Sequence, residues 1–183
     1  MNFNIRLLFI ILVFFSCKVE DSSERTIETG ISYELAEYRK QLISDVVYNL
    51  HFKIPEEKNK PIESKLKLTF YLNNLNENLL LDFNEDFSKL KSININGKKE
   101  AFNFRNEHII LSNKTQLTLG ENTIEIFFDA GEKSLNRNDE FLYTLLVPDR
   151  ASTLFPCFDQ PDIKANYNLQ ITAPKDWKVL AGA

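Results

Sequence analysis

The chain has 183 residues and a formal charge of −4, from 26 acidic and 22 basic residues. That mild negative balance supplies no basic face for a polyphosphate and excludes nucleic acid as the expected partner. An apolar content of 43 % is that of a globular protein, and the length fits one domain once a leader is set aside.

Residues 1–6 end on Arg6, residues 7–15 are uncharged and apolar, and Ser16-Cys17 follow. A basic start, a short apolar run and a small residue before the cut read as a secretory signal over residues 1–16. The run is too short to span a bilayer, which takes roughly 20 residues. Cysteine directly after the small residue reads as a lipoprotein signal with Cys17 as the lipid attachment site, although Phe14 and Phe15 stand where Leu and Ala are commoner. An ordinary cleaved peptide and an uncleaved anchor are the alternatives. With Cys17 lipidated, Cys157 has no partner for an intrachain disulfide. Residues 17–30 are polar, rich in Ser, Glu and Thr, and read as a flexible tether. Residues 31–183 form the folded body.

Ile31, Leu35, Tyr38 and Leu42 recur at helical spacing behind Ser32, a plausible N-cap, and predict one short helix over 33–42. The period then changes to two. Val46, Tyr48, Leu50, Phe52 and Ile54 alternate with polar residues, as do Leu66, Leu68, Phe70 and Leu72. A short apolar run at 79–83 follows. Ile93 and Ile95 lead into Asn96-Gly97, a type I′ hairpin signal because both central residues need positive φ. Residues 101–104, 108–111, 115–119, 123–128, 141–147 and 167–173 complete the predicted strands. Many short strands and one helix, without βαβ rhythm or a Gly-rich phosphate loop, predict an all-β antiparallel β-sandwich or open barrel. Fifteen phenylalanines suit two sheets packed face to face.

A catalytic constellation is hard to assemble from these residues. His51 and His108 are the only histidines, and neither belongs to an H-E-x-x-H pair. Both read as surface or hydrogen-bonded structural histidines. Cys157 would need a neighbouring base to act as a nucleophile and reads as a packing residue between Pro156 and Phe158. Asp139-Glu140 and Asp159 with Asp162 are close enough to be weighed as acid–base pairs, but such spacing is common on solvated turns.

The most informative stretch is Phe155-Pro156-Cys157-Phe158-Asp159-Gln160-Pro161. Its prolines fix φ and remove donors, its phenylalanines can bury large apolar area, and Asp159 can accept local backbone N–H groups. It reads as a rigid corner. It also closely resembles the F-P-C-F-D-E-P signature of the N-terminal domain of the aminopeptidase N family of zinc metallopeptidases. Residues 39–54 look like that domain's opening strand, and Phe141-Leu142-Tyr143-Thr144 resembles the strand before the signature. Lys164-Ala165-Asn166-Tyr167 matches K-A-x-(F/Y), and Ile171-Thr172-Ala173-Pro174 with Trp177-Lys178-Val179 matches the following strand and turn. The combination looks most like bacterial lipoprotein members.

The resemblance implies a saddle-shaped β-sandwich abutting a downstream catalytic domain, with zinc in the full-length protein and none held by this chain. Neither H-E-x-x-H nor G-x-M-E-N occurs here, so no catalytic or metal residue is assigned and the chain alone is expected to be inactive. The acid or amide that the family places eight residues before the signature is Val147, and that substrate-pocket role is not carried over. Ser152 stands where an Arg is common, and Gln160 replaces Glu. The signature is expected to act as an interface, with Phe155 and Phe158 leaving apolar surface for the catalytic domain, through which alone peptide substrates would be met. The leading reading is the N-terminal fragment of a membrane-anchored zinc aminopeptidase of the bacterial cell envelope, periplasmic or surface-facing, truncated at its C-terminal end. A non-catalytic surface lipoprotein binding peptide or glycan is the alternative, and a decayed gene product is the third. Several acyl chains anchor firmly where one does not. Cys17→Ala is therefore expected to release the protein from the membrane fraction or block its processing, and unchanged fractionation and mass would refute the assignment.

Overall fold

The computed structural model describes residues 26–114, 116–147 and 149–182; the leader and Cys17 lie outside the described residues. Helix α1 spans Tyr33–Leu42, and the Ser32 side chain caps it by accepting from the Leu35 amide at 3.2 Å. The helix buries Leu35, Arg39 and Leu42, one stripe that includes a charged residue.

Eleven strands follow: β1 Ile43–Lys53, β2 Glu63–Leu72, β3 Leu79–Asp82, β4 Leu90–Ile95, β5 Lys98–Glu100, β6 Phe104–Arg105, β7 His108–Leu111, β8 Gly120–Asp129, β9 Leu135–Arg137, β10 Leu142–Thr144 and β11 Ala165–Thr172. They form a six-stranded sheet in the order β11-β1-β2-β8-β4-β5, a three-stranded sheet β3-β7-β6 and the pair β10-β9. The fold is all-β and sandwich-like around one large apolar cluster. The period-two residues of β1 and β2 face that cluster, whereas His51, Lys53, Lys65 and Lys67 lie on the wet face.

The small sheet is buried on both faces. Leu79, Leu81, Ile109 and Leu111 join the main core, while Leu80 and Ile110 pack with Leu35, Ile27 and Ile31. This is why β3 and β7 read as continuous apolar runs and not as alternating ones. It also changes the reading of the tether: residues 27–31 are docked against this sheet, not free.

The Asn96-Gly97 hairpin forms as expected, with φ of 49° and 79°. A second turn of the same sign, Asn106 and Glu107 at φ 50° and 67°, joins β6 to β7 without a glycine to announce it. Other segments differ from their predicted form. Residues 116–119 are not a strand, because Asn122 bonds the Thr118 amide and the carbonyls of Thr118 and Gly120, taking the place of a ladder partner. Strand β6 takes only Phe104 from the segment 101–104. From 141–147 only Leu142–Thr144 pairs, where the Asn138 side chain closes the turn by accepting from Glu140 and Phe141. Strand β11 runs parallel to β1, so the main sheet is mixed and not purely antiparallel. Among the described residues no helix is long and apolar enough to cross a membrane.

Gly131 fixes the approach of the loop after β8 to the short 3-10 turn Ala151–Thr153. Its amide donates to the Leu154 carbonyl at 2.9 Å, and a Cβ there would lie 1.9 Å from the Thr153 carbonyl oxygen. Backbone cannot yield to that overlap as a flexible side chain would. Gly131→Ala is expected to cost at least about 1–3 kcal/mol, measured as a fall in the denaturant midpoint; an unchanged midpoint would contradict this packing.

Candidate functional site

The signature segment meets the rest of the fold at one carboxylate. Asp82 ends β3, and its backbone exchanges two hydrogen bonds with Cys157, N to O at 2.8 Å and O to N at 3.0 Å. Its side chain is 6 % exposed and accepts four hydrogen bonds from three residues. Oδ1 accepts from Arg39 Nη2 at 2.5 Å and from His108 Nδ1 at 2.8 Å, and Oδ2 accepts from Arg39 Nη1 at 2.8 Å and the Asp159 amide at 2.9 Å. Arg39 is fully buried, and Nη2 also donates to the Leu80 carbonyl at 2.7 Å. Burial pushes the Asp82 carboxyl up. The Arg39 guanidinium and the bonds from His108, Arg39 and Asp159 outweigh it and hold the group below the usual carboxylate range.

Around this cluster the corner is packed inward. Phe155 meets Tyr48, Phe52 and Tyr167 edge-on at 6.2, 6.4 and 6.5 Å between ring centroids. Phe158 lies 5.8 Å from Phe70 and under the Arg39 guanidinium at 5.7 Å. Both rings are only 4 % exposed, so the expected uncovered apolar surface at the signature is not there. The Tyr48 hydroxyl accepts from the Phe158 amide at 2.9 Å, and Asp159 Oδ2 accepts from the Ser152 amide at 2.8 Å. Gln160 Nε2 donates to the Ala36 carbonyl in α1 at 3.0 Å and to Asp162 at 2.8 Å. An ionised glutamate could make neither bond, which gives the Gln in place of Glu a physical reason.

The Cys157 thiol is buried and pushed up, first by burial and then by Asp159 and Asp82. Its surroundings disfavour the thiolate that nucleophilic chemistry would need. His108 has both ring nitrogens engaged, and His51 Nε2 lies 2.9 Å from Thr172 Oγ1 on the wet sheet face. Asp139 pairs with Lys58 at 2.5 Å, which lowers its carboxyl; Asp162 is lowered first by its bond from Gln160. The carboxyl that rises is Asp149, through burial and the nearby Asp159, Asp82 and Glu107. No three His, Cys, Asp or Glu among the described residues are grouped to hold a metal ion. The contacts of Asp82 tie α1, the small sheet and the signature loop together.

A cluster of this composition was only partly visible beforehand. Asp82 sits in the apolar run at 79–83, where a charge signals a buried partner, whereas Arg39 lies among polar residues of its helix and carries no such sign.

A family model, the peptidase M1 N-terminal domain, matches residues 44–183, and the chain belongs to that family. Solved structures share the fold. Yeast LTA4 hydrolase with bestatin is 20 % identical at a TM-score of 0.63, the match covering 84 % of this chain and 26 % of that one. An M1 zinc metallopeptidase from Deinococcus radiodurans is 15 % identical at 0.59, covering 71 % and 32 %. Legionella pneumophila aminopeptidase A with aspartic acid is 25 % identical at 0.57, covering 71 % and 16 %. The chain thus spans less than a third of the length of these relatives. No curated protein sequence matches it significantly.

Removing the Asp82 charge leaves Arg39 buried without its counter-ion. Asp82→Asn is expected to cost about 3–5 kcal/mol. Because the native carboxyl is depressed, its stabilisation is present above about pH 4 and lost as the pH falls through the lower native value. The acid limb of the stability–pH curve should therefore be shallower in Asp82→Asn; an unchanged limb would show that Asp82 is not the titrating group.

Proposed function

We propose that this chain is the non-catalytic N-terminal domain of a zinc metalloaminopeptidase that removes residues from peptide N-termini. The match of residues 44–183 to the M1 N-terminal domain carries this reading. Hydrolysis and zinc belong, on this reading, to a further domain of the same protein, and this chain derives no chemical step of its own. Lipid on Cys17 holds the assembly to the bacterial cell envelope.

The domain's part is to present a surface. The signature is used up inside the fold, and the apolar surface lies elsewhere. Phe141, Tyr143, Leu145 and Val147 alternate along the β10 segment and are 49 %, 45 %, 55 % and 81 % exposed. Tyr167 and Leu169 stand in register with Tyr48 and Leu50, yet are half exposed at the sheet edge. Apolar rows of this kind support docking to a catalytic domain.

Native protein isolated from membranes with antibodies to residues 31–183 is expected to carry zinc and to hydrolyse amino-acid arylamides in a chelator-sensitive way. Residues 18–183 alone are expected to do neither. Zinc-dependent turnover by the short chain, or native protein without zinc or activity, would overturn the reading and favour a surface binding module.

A further inference from the structure

His108 opens β7 immediately after the Asn106-Glu107 turn and is 1 % exposed. Its ring spans two different partners. Nδ1 lies 2.8 Å from Asp82 Oδ1, and Nε2 lies 3.0 Å from both the Glu28 and the Gly30 carbonyl oxygens. All three are acceptors. A neutral imidazole has one N–H and one lone pair, so either tautomer would leave a lone pair facing an oxygen. Only the form with both nitrogens protonated satisfies every contact.

The carbonyls belong to the segment that precedes α1. Asn106 Nδ2 also donates to the Ile27 carbonyl at 2.7 Å, and Ile27 and Ile31 pack on Leu35, Leu80 and Ile110. We propose that His108 is a latch whose Nε2–H, donated to the Glu28 and Gly30 carbonyls, holds residues 27–31 against the β3–β7 sheet, and that loss of the Nε2 proton frees the segment from the domain. Asp82 of β3, which faces Nδ1, also binds Arg39 of α1 and the Asp159 amide of the signature loop, and Asp149 lies within electrostatic reach of Asp82, Asp159 and Glu107. The Asp82 carboxylate orients the ring through Nδ1 while Nε2 reaches the segment. On the Cys17 anchor proposed above, opening this latch releases residues 27–31 between the anchor and the domain.

The test uses the full chain in detergent, labelled with 15N-histidine and carrying His51→Gln so that His108 gives the single ring signal. With the latch closed, Nε2 should show a protonated shift, and a glutamate-specific protease should cut slowly after Glu28 relative to a free peptide of the same sequence. Raising the pH should bring loss of the Nε2 proton and cleavage faster by on the order of tenfold or more, in step. His108→Gln should be cut quickly at every pH while Cys157 stays protected from a thiol reagent. If Cys157 becomes reactive in that variant, the pH titration of His108 itself decides. An unprotonated Nε2 while the Glu28 bond stays protected, or cleavage that ignores the protonation of Nε2, would overturn the latch.

Discussion

The fold turns on the burial of one carboxylate between an arginine and a histidine. Asp82 joins Arg39 of α1, His108 of β7 and the Asp159 amide of the signature loop, while its backbone pairs with Cys157. An isolated buried charge is costly; one with a bidentate guanidinium and further donors is tolerated because its lone pairs are filled. The cluster therefore acts less as a source of net stability than as a specification of where helix, small sheet and loop must meet, and each of its members is uncompensated if another is displaced.

Seen from this cluster, the proline–aromatic signature has a structural explanation. Pro156 and Pro161 stiffen a segment that cannot continue a ladder, so its amides must find other acceptors. Tyr48 supplies one for Phe158 and Asp82 supplies one for Asp159, while Phe155 and Phe158 fill the space between the sheets. Cys157 fits because a small, neutral, poorly solvated side chain is needed beneath the bridge to Asp82. Of the exposed apolar rows, that of β11 touches this corner through Tyr167, whose ring stacks on Tyr48 and meets Phe155 edge-on.

Much of this was legible in the sequence where local periodicity matched the burial it met. Helix 33–42 with its Ser32 cap, the alternating faces of β1, β2 and β8, and the Asn96-Gly97 hairpin all follow from short-range pattern. The family followed from the signature's residues. What failed was set by long-range partners. The parallel pairing of β11 on β1 joins residues far apart in the chain, and no alternation reports strand direction. The coil at 116–119 depends on the Asn122 side chain, and the docking of residues 27–31 depends on backbone carbonyls that a polar composition does not reveal. Phe155 and Phe158 were expected at a surface because an aromatic residue in a loop does not state which layer will cover it.

The central claim is that the signature loop is an integral part of the core, fastened at Asp82. Native-state hydrogen exchange of the Cys157, Phe158 and Asp159 amides tests it most directly, because loops that open locally exchange long before the core. The account predicts that these amides exchange with the same opening free energy as core amides of β2 and β8 such as Leu66 and Ile124. Exchange at the rates of an exposed loop, while Leu66 and Ile124 stay protected, would contradict it.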